Sequence, residues 1–562
     1  MISLWAREYG CEDLCRVCGR RPEDAADAWL AAACRWLGDH RGIYVGVEEA
    51  EGDVLVKKEE TPHTRPAETA LSIRDKENSE DVEWTSARVT RHFASSALSL
   101  GLRQVFVQGS NLLGSLLLAR MLSPTEFGLY AVAVFWLSFL STFGGTGFAA
   151  NLIRQPSEPA LADYRSVFSI QLVIVLGLAA TLWAAAPTLA AMYRLSTDGI
   201  WLFRLIALSL FTTAFIVIPQ VQLERHLDFA KLARVEVAQA ITFNVTAVYL
   251  AWRGWGVLSF GIAMLLRAAV GATLANWIKP WAMRWHWDLE RAKPHLAFAL
   301  PFQGAQFISV IKDSISPIFI GLLLGARAVG YVNWAGMVAA YSLLALMVLQ
   351  RIYLPAFARL QYQPSALGAF VERILLITNA TTAPLAVLTL VLIDPVTHLL
   401  FGDKWLPALP LFYLLWAANI FVPSATPLYS LLNATGYARK ALGFSILWMV
   451  GTWLIGAPLI IAFGTIGFAI ANLLVQFSNL WLYRVAKSIV KFRVLPTVIP
   501  AWIMAIIMGV AVFIMTRLLV PSDFTRLILY LILGLAVYFL MFYLFYKKQL
   551  RAIFVLVRGS AV

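Results

Sequence analysis

Seven polar side chains stand in stretches that are otherwise almost wholly apolar. Arg103, Gln104 and Gln108 fall in one such run and Arg267 in a second. Gln306, Lys312 and Asp313 fall in a third, Leu296–Gly325, which is long enough to span a bilayer. A charge at mid-bilayer costs at least ~2.5–3.5 kcal/mol, so embedded charges face a bundle interior, a water-filled cavity or a partner charge. Guanidinium groups suit bidentate contact with phosphate or carboxylate, and a lysine ammonium acts as a point charge. The set therefore reads as faces that meet water or partner charges inside a helix bundle. Adjacent helical residues do not face one another, so a direct Lys312–Asp313 pair is not expected. Three alternatives stay open. Arg103 could snorkel to the interface, Arg267 could pair with Glu236, and Asp313 could be a protonatable group for ion antiport.

Other polar motifs carry less. The histidines His40, His63, His92, His226, His286, His295 and His398 are dispersed, and no nucleophile–base set or metal spacing accompanies them. Gly144-Gly145-Thr146-Gly147 lacks the Lys-Ser/Thr of a phosphate loop. Close helix packing is its simpler reading. Asn244, Asn276, Asn333 and Asn379 read as interhelical hydrogen-bonding residues. All four cysteines, Cys11, Cys15, Cys18 and Cys34, lie in the first 34 residues. A zinc knuckle there is the alternative to a dispensable tail. No catalytic constellation, cofactor or nucleotide-binding motif is implied.

The elements that must position these side chains follow from composition. Of 562 residues, 59% are hydrophobic and 14% charged, against about 25% charged in soluble domains. The apolar runs are about 20 residues long, which selects helices over β-barrel strands. The expected fold is an all-α integral membrane protein with about 14 transmembrane helices. Residues 1–92 hold 13 basic and 19 acidic residues and read as an acidic, mostly disordered cytoplasmic extension. The remainder carries the basic excess. This fits loops facing anionic lipid rather than a nucleic-acid surface. Alternate loops are rich in basic residues, such as Arg225, Lys231 and Arg234, then Lys279, Arg284, Arg291 and Lys293, then Arg484, Lys487, Lys491 and Arg493. The bias places both termini in the cytoplasm.

An internal repeat is visible. LLLARMLSPTEFGLYAVA (116–133) resembles IGLLLGARAVGYVNWA (320–335). Pro219-x3-Leu223-x5-Phe229-Ala230-Lys231 matches Pro427-x3-Leu431-x5-Tyr437-Ala438-Arg439, and GVLSFGIAMLL (256–266) resembles GFAIANLL (467–474). The order is kept, so the chain divides into a six-helix lobe at 93–290, a second at 291–490, and two extra helices with a basic tail at 491–562. A site between the lobes is the default expectation.

FGLYAVA, the ERHLDFAKLARVE loop (224–236), LGARAVGYVNWA, LPAFARLQ (354–361) and LFGDKWLPALPLF (400–412) together resemble the Wzx-type oligosaccharide and polysaccharide flippases of the MOP exporter superfamily, nearest the exopolysaccharide branch. The resemblance covers roughly residues 93–550. It implies two lobes in a V and alternating access in the bacterial cytoplasmic membrane. It implies an undecaprenyl-diphosphate-linked oligosaccharide as substrate, with membrane lipid, a polysaccharide polymerase and chain-length or export proteins as partners. Arg103, Gln104, Gln108, Arg267, Gln306 and Lys312 would then meet the anionic head group, and Asp313 would be the ion-coupling residue. Relatives often carry Asp and Arg where this chain has Ser316 and Leu322. The rival readings are a peptidoglycan-precursor or multidrug exporter on the same architecture, or a membrane-bound glycan polymerase or ligase. The latter would need a large catalytic loop, which the short loops of the non-cytoplasmic side do not offer.

Overall fold

The computed structural model describes residues 106–144, 152–153, 158–226, 228–288, 307–518 and 524–559, and these contain no strand. The extension with its cysteines, Arg103, Gln104, Gln306 and Gly145-Thr146-Gly147 lie outside them.

The first group of helices is α1 (106–121), α2 (Pro124–Gly144), α3 (Leu161–Met192), α4 (Thr197–Arg225), α5 (Phe229–Trp252) and α6 (Leu258–Ile278). Next come α7 (Phe307–Leu324), α8 (Ala326–Leu360), α9 (Pro364–Phe401) and α10 (Asp403–Asn419 and Val422–Ala434, bent by 43°). The last are α11 (Ala438–Phe463), α12 (Thr465–Ile489), α13 (Leu495–Leu518) and α14 (Phe524–Gly559). Among the described residues, eleven helices are long and apolar enough to cross a membrane, or twelve when bent α10 is one span. The difference from the expected fourteen has two sources. The run containing α1 begins outside the described residues. Helix α5 is continuous, but Glu236, Gln239 and Asn244 leave it less apolar than the others.

Local chemistry sets the turns. Ser123-Pro124-Thr125-Glu126 is a capping box with proline at the first helical position. The Glu126 carboxylate accepts from the Ser123 backbone N–H (2.7 Å) and hydroxyl (2.8 Å), and the Ser123 hydroxyl accepts from the Glu126 N–H (3.3 Å). Helices α7 and α8 are joined by Gly325 at φ +85°, and α9 and α10 by Gly402 at φ +90°. An L side chain is disfavoured there, so glycine permits a one-residue reversal. The turns at Ser123, Gly325 and Gly402 lie at one end of the bundle.

At that end α2 and α8 meet backbone to backbone. A Cβ on Gly128 would fall 1.7 Å from the Ala326 carbonyl oxygen, and one on Gly330 would fall 1.8 Å from that of Pro124. The contact is reciprocal: each glycine faces the residue four positions before the other. Lipid supplies no hydrophobic drive for helix association, so close approach at small residues carries it. Around this crossing the largest buried cluster gathers, with Phe127, Trp334, Phe401 and Trp405 nearly inaccessible. Interhelical amides add to it. Asn276 donates to the Phe215 carbonyl (2.9 Å), and Asn379 donates to Ser424 (3.1 Å) and accepts from the Trp502 indole (3.1 Å).

Gly330→Leu places a branched side chain where backbone already stands. It is expected to destabilise the bundle by about 3 kcal/mol, the upper end of overpacking costs. Gly177→Ala, whose Cβ meets nothing within 4 Å, is expected to leave stability unchanged or slightly raised. Thermal unfolding of the detergent-solubilised protein separates the two.

Candidate functional site

Beneath the Gly128–Gly330 crossing lies a cavity of about 540 Å3, walled by α1, α2, α5, α6 and α8. Its wall toward the crossing is aromatic. Tyr130 of α2 stacks on Phe260 of α6 at 4.0 Å, and Phe127 meets both Phe260 (5.7 Å) and Trp405 (5.3 Å) edge-on. The remaining walls carry amides and hydroxyls. Ser115 of α1 and Tyr341 of α8 share a 2.9 Å hydrogen bond across the cavity, and Gln108 reaches the Met347 sulfur at 3.2 Å. Asn244 of α5 donates to Ser110 (3.0 Å), Asn111 (3.2 Å) and its own helix at Ala240 (2.9 Å). Asn333 completes the polar set.

Arg267 of α6 is the one formal charge lining this cavity among the described residues. It does not form the Glu236 pair weighed from the sequence; no carboxylate among the described residues lies within ion-pair distance of it. Its side chain is exposed to the cavity space rather than packed away. The cavity is therefore a largely apolar chamber with convergent amides and one guanidinium whose donors meet no acceptor among the described residues. Such a set suits a bidentate oxyanion such as phosphate.

Gln108 and Arg267 are thus brought together. Lys312 and Asp313 are not part of this lining, and they form the direct pair that helix geometry argued against, with Lys312 Nζ 2.9 Å from Asp313 Oδ1. The reason is local. The regular helix stops at Asp313, Ser314 is a turn, and Ile315–Ile320 winds as a wider π-helix around Pro317. The two side chains, 38% and 64% exposed, lean out together instead of following ideal directions. The Trp453 indole N–H donates to the Ile311 carbonyl at 2.8 Å just before this break.

Sequence reasoning did not single out the closure at the crossing end. Lys404 Nζ donates to the Arg120 and Leu122 carbonyls, each at 2.8 Å, and the Trp405 indole N–H donates to the Ala119 carbonyl at 2.9 Å. These are carbonyls of the last turn of α1 and of the residue just after it, where the helix itself offers no partner. Trp405 also stacks on Trp334 at 5.4 Å. The available signal was Asp403-Lys404-Trp405 directly after a turn glycine, a lysine and an indole donor placed where a neighbouring helix ends. Among the described residues no group of histidine, cysteine and carboxylate side chains could hold a metal ion.

Comparison with known proteins gives the family and the fold. A family described as "Polysaccharide biosynthesis protein" matches residues 117–410, just over half of the chain. The succinoglycan biosynthesis transport protein ExoT of Rhizobium meliloti is 27% identical over 60% of this chain and 68% of its own length. The lipopolysaccharide biosynthesis protein WzxC of Escherichia coli is 23% identical over 67% of this chain and 76% of its own. Among solved structures, the lipid II flippase MurJ in an inward closed conformation superposes with a TM-score of 0.65 at 13% identity, covering 81% of this chain and all of its own. An inward-facing MATE transporter of the MOP superfamily follows at 0.54, covering 70% and 98%. The two likenesses are of fold. The match across 117–410 holds the α2–α8 crossing, Arg267 and the Lys404–Trp405 closure together, and the chain belongs to the polysaccharide biosynthesis protein family.

Proposed function

We propose that this protein is a flippase that moves an undecaprenyl-diphosphate-linked oligosaccharide across the cytoplasmic membrane by alternating access. The observation that carries the reading is the guanidinium of Arg267, without an ion-pair partner among the described residues, in a cavity between the spans of a polysaccharide-biosynthesis chain. A diphosphate entering an apolar bundle loses its hydration. Bidentate donation from Arg267, with amide hydrogen bonds from Gln108, Asn111 and Asn333, replaces it. Arg103 and Gln104, which precede Gln108 in the sequence, would extend the polar face of the same helix. Lys312, held by Asp313, is a second cation outside this cavity, and Asp313 is the candidate for ion coupling. The absence of a carboxylate from the described lining of the cavity disfavours an exporter of cationic drugs.

The proposed organisation is two six-helix lobes, 93–290 and 291–490, with two further helices after them. The reciprocal Gly128–Ala326 and Gly330–Pro124 contacts support it, because Gly330 stands 202 residues after Gly128 and Ala326 stands 202 after Pro124, so the two contacts exchange equivalent positions of the sequence repeat. With both termini cytoplasmic by the basic-loop bias, the crossing lies toward the extracytoplasmic face. The Lys404–Trp405 closure is then the outer gate, and release requires it to part.

Three outcomes are expected. Loss of the gene abolishes one surface polysaccharide and accumulates its lipid-linked repeat unit, read by mass spectrometry of extracted lipids. Arg267→Ala lowers export about 10- to 100-fold, since hydrogen bonds to charged groups contribute about 1.5–3 kcal/mol each. Arg267→Lys recovers part of it, and membrane protein levels stay normal in both. For the gate, the membrane part has no cysteine of its own, so Ser115→Cys in a background lacking the other four reports cavity access. Adding Lys404→Met is expected to raise its labelling by a membrane-impermeant thiol reagent applied from outside. Unchanged labelling would show that Lys404 does not hold the gate.

A further inference from the structure

A second hollow, of about 770 Å3, lies against the first on the other side of α1. It runs between α1 and α5 from Phe106 to Met121, fifteen residues or ~22 Å of helix, much of the ~30 Å hydrocarbon thickness. Its walls are apolar side chains such as Leu113, Leu117, Val245 and Val248, with Tyr249 and Trp252 near one end. Gly109 and Asn244 line both hollows. They define a seam between a chamber with a guanidinium and a groove facing hydrocarbon.

The seam is built for both surroundings. Gly114 makes room for the Asn244 amide: a Cβ there would fall 2.0 Å from its Oδ1. Seated in that notch, the Asn244 amide nitrogen is satisfied by Ser110, Asn111 and Ala240, so this amide presents no unmet donor to lipid. Gly109 is different. A Cβ on it would meet nothing within 4 Å, so packing does not demand glycine there. What its missing side chain leaves is open space where cavity and groove meet.

Resting on the flippase reading, we infer that the α1–α5 groove holds part of the polyprenyl tail of the substrate while its diphosphate occupies the Arg267 cavity, the two joined through the Gly109–Asn244 seam. The occupant follows from the juxtaposition. An anion-binding chamber and an apolar trough that share wall residues fit a single amphipath with an anionic head and a long hydrocarbon chain. The tail then never leaves the hydrocarbon, and only the head group is desolvated.

The test uses the full-length protein reconstituted in phosphatidylethanolamine–phosphatidylglycerol vesicles, with radiolabelled undecaprenyl diphosphate as the probe. A photoreactive benzoylphenylalanine replaces Val245 in the groove, Tyr130 in the cavity, or Leu454, a lipid-exposed position on α11. Expected is labelling at 245 several-fold above 454, suppressed by excess unlabelled undecaprenyl phosphate and not by added phospholipid. Equal labelling at 245 and 454, or suppression by phospholipid, would mean an ordinary lipid-facing surface and would overturn the groove. Labelling at 130 without 245 overturns the groove and leaves the flippase reading standing, whereas labelling at none of the three removes both. Val245→Trp, which fills the groove, is expected to lower export several-fold while Val245→Ile does not. Equal export by the two variants would also count against the groove.

Discussion

Two carbonyl oxygens and two missing side chains fix the centre of this molecule. Gly128 faces the Ala326 carbonyl and Gly330 faces that of Pro124, with no room for a Cβ at either. In a bilayer the apolar faces of helices gain little by leaving lipid for one another, so this approach and the interhelical hydrogen bonds carry the association. The neighbours of the contact inherit their positions from it. Phe127 precedes Gly128 and meets Trp405; Trp334 follows Gly330 by one turn and stacks on the same indole. Tyr130 and Asn333, on the following turns of α2 and α8, line the cavity. One crossing therefore sets both the closure and the chamber beneath it.

The cations of the bundle are stabilised in different ways, and the differences sort their roles. Lys404 caps helix-terminal carbonyls. Lys312 pairs with Asp313. Arg204 lies between the rings of Trp183 and Trp201 at 5.3 and 5.1 Å, a cation–π arrangement at a helix end. Among the described residues Arg267 has none of these, although it faces a chamber of apolar and amide side chains. An embedded charge left without a partner is costly, so the arrangement makes sense if the partner arrives with the substrate.

Much of this was legible in the sequence, at the level where one chemical rule dominates. The spans followed from apolar runs. Gln108 and Arg267 stood out because charge and amide are rare at depth, and the structure sets them in one cavity. What the sequence did not yield depends on distances between helices. The Lys312–Asp313 pair needed the π-helical winding at Ile315–Ile320, which no periodicity discloses. The weight of Asn244 was underestimated, since a bonding role between helices did not reveal that it lines two hollows. The role of Lys404 and Trp405 could not be read from the sequence because their partners are backbone carbonyls, atoms common to every sequence. Arg103, Gln104 and Gln306 rest on sequence alone.

The closure also suits reversal. Two hydrogen bonds from an ammonium contribute about 1.5–3 kcal/mol each and one from an indole about 1 kcal/mol, so the polar part of the gate holds roughly 4–7 kcal/mol. Shifting a two-state equilibrium from 1:99 to 99:1 takes about 5.5 kcal/mol of differential binding. A diphosphate contacting Arg267 and several amides in one state and not the other supplies energy of that order. An ion pair sealed in hydrocarbon would be harder to part, because each separated charge would stay desolvated. The Arg120 carbonyl lies in an exposed contact and regains water as soon as it is released, and so does the lysine. A gate made of backbone caps and stacked rings, hung on a crossing with no side chains between its backbones, can therefore be tight when closed and still open under the binding energy of one head group.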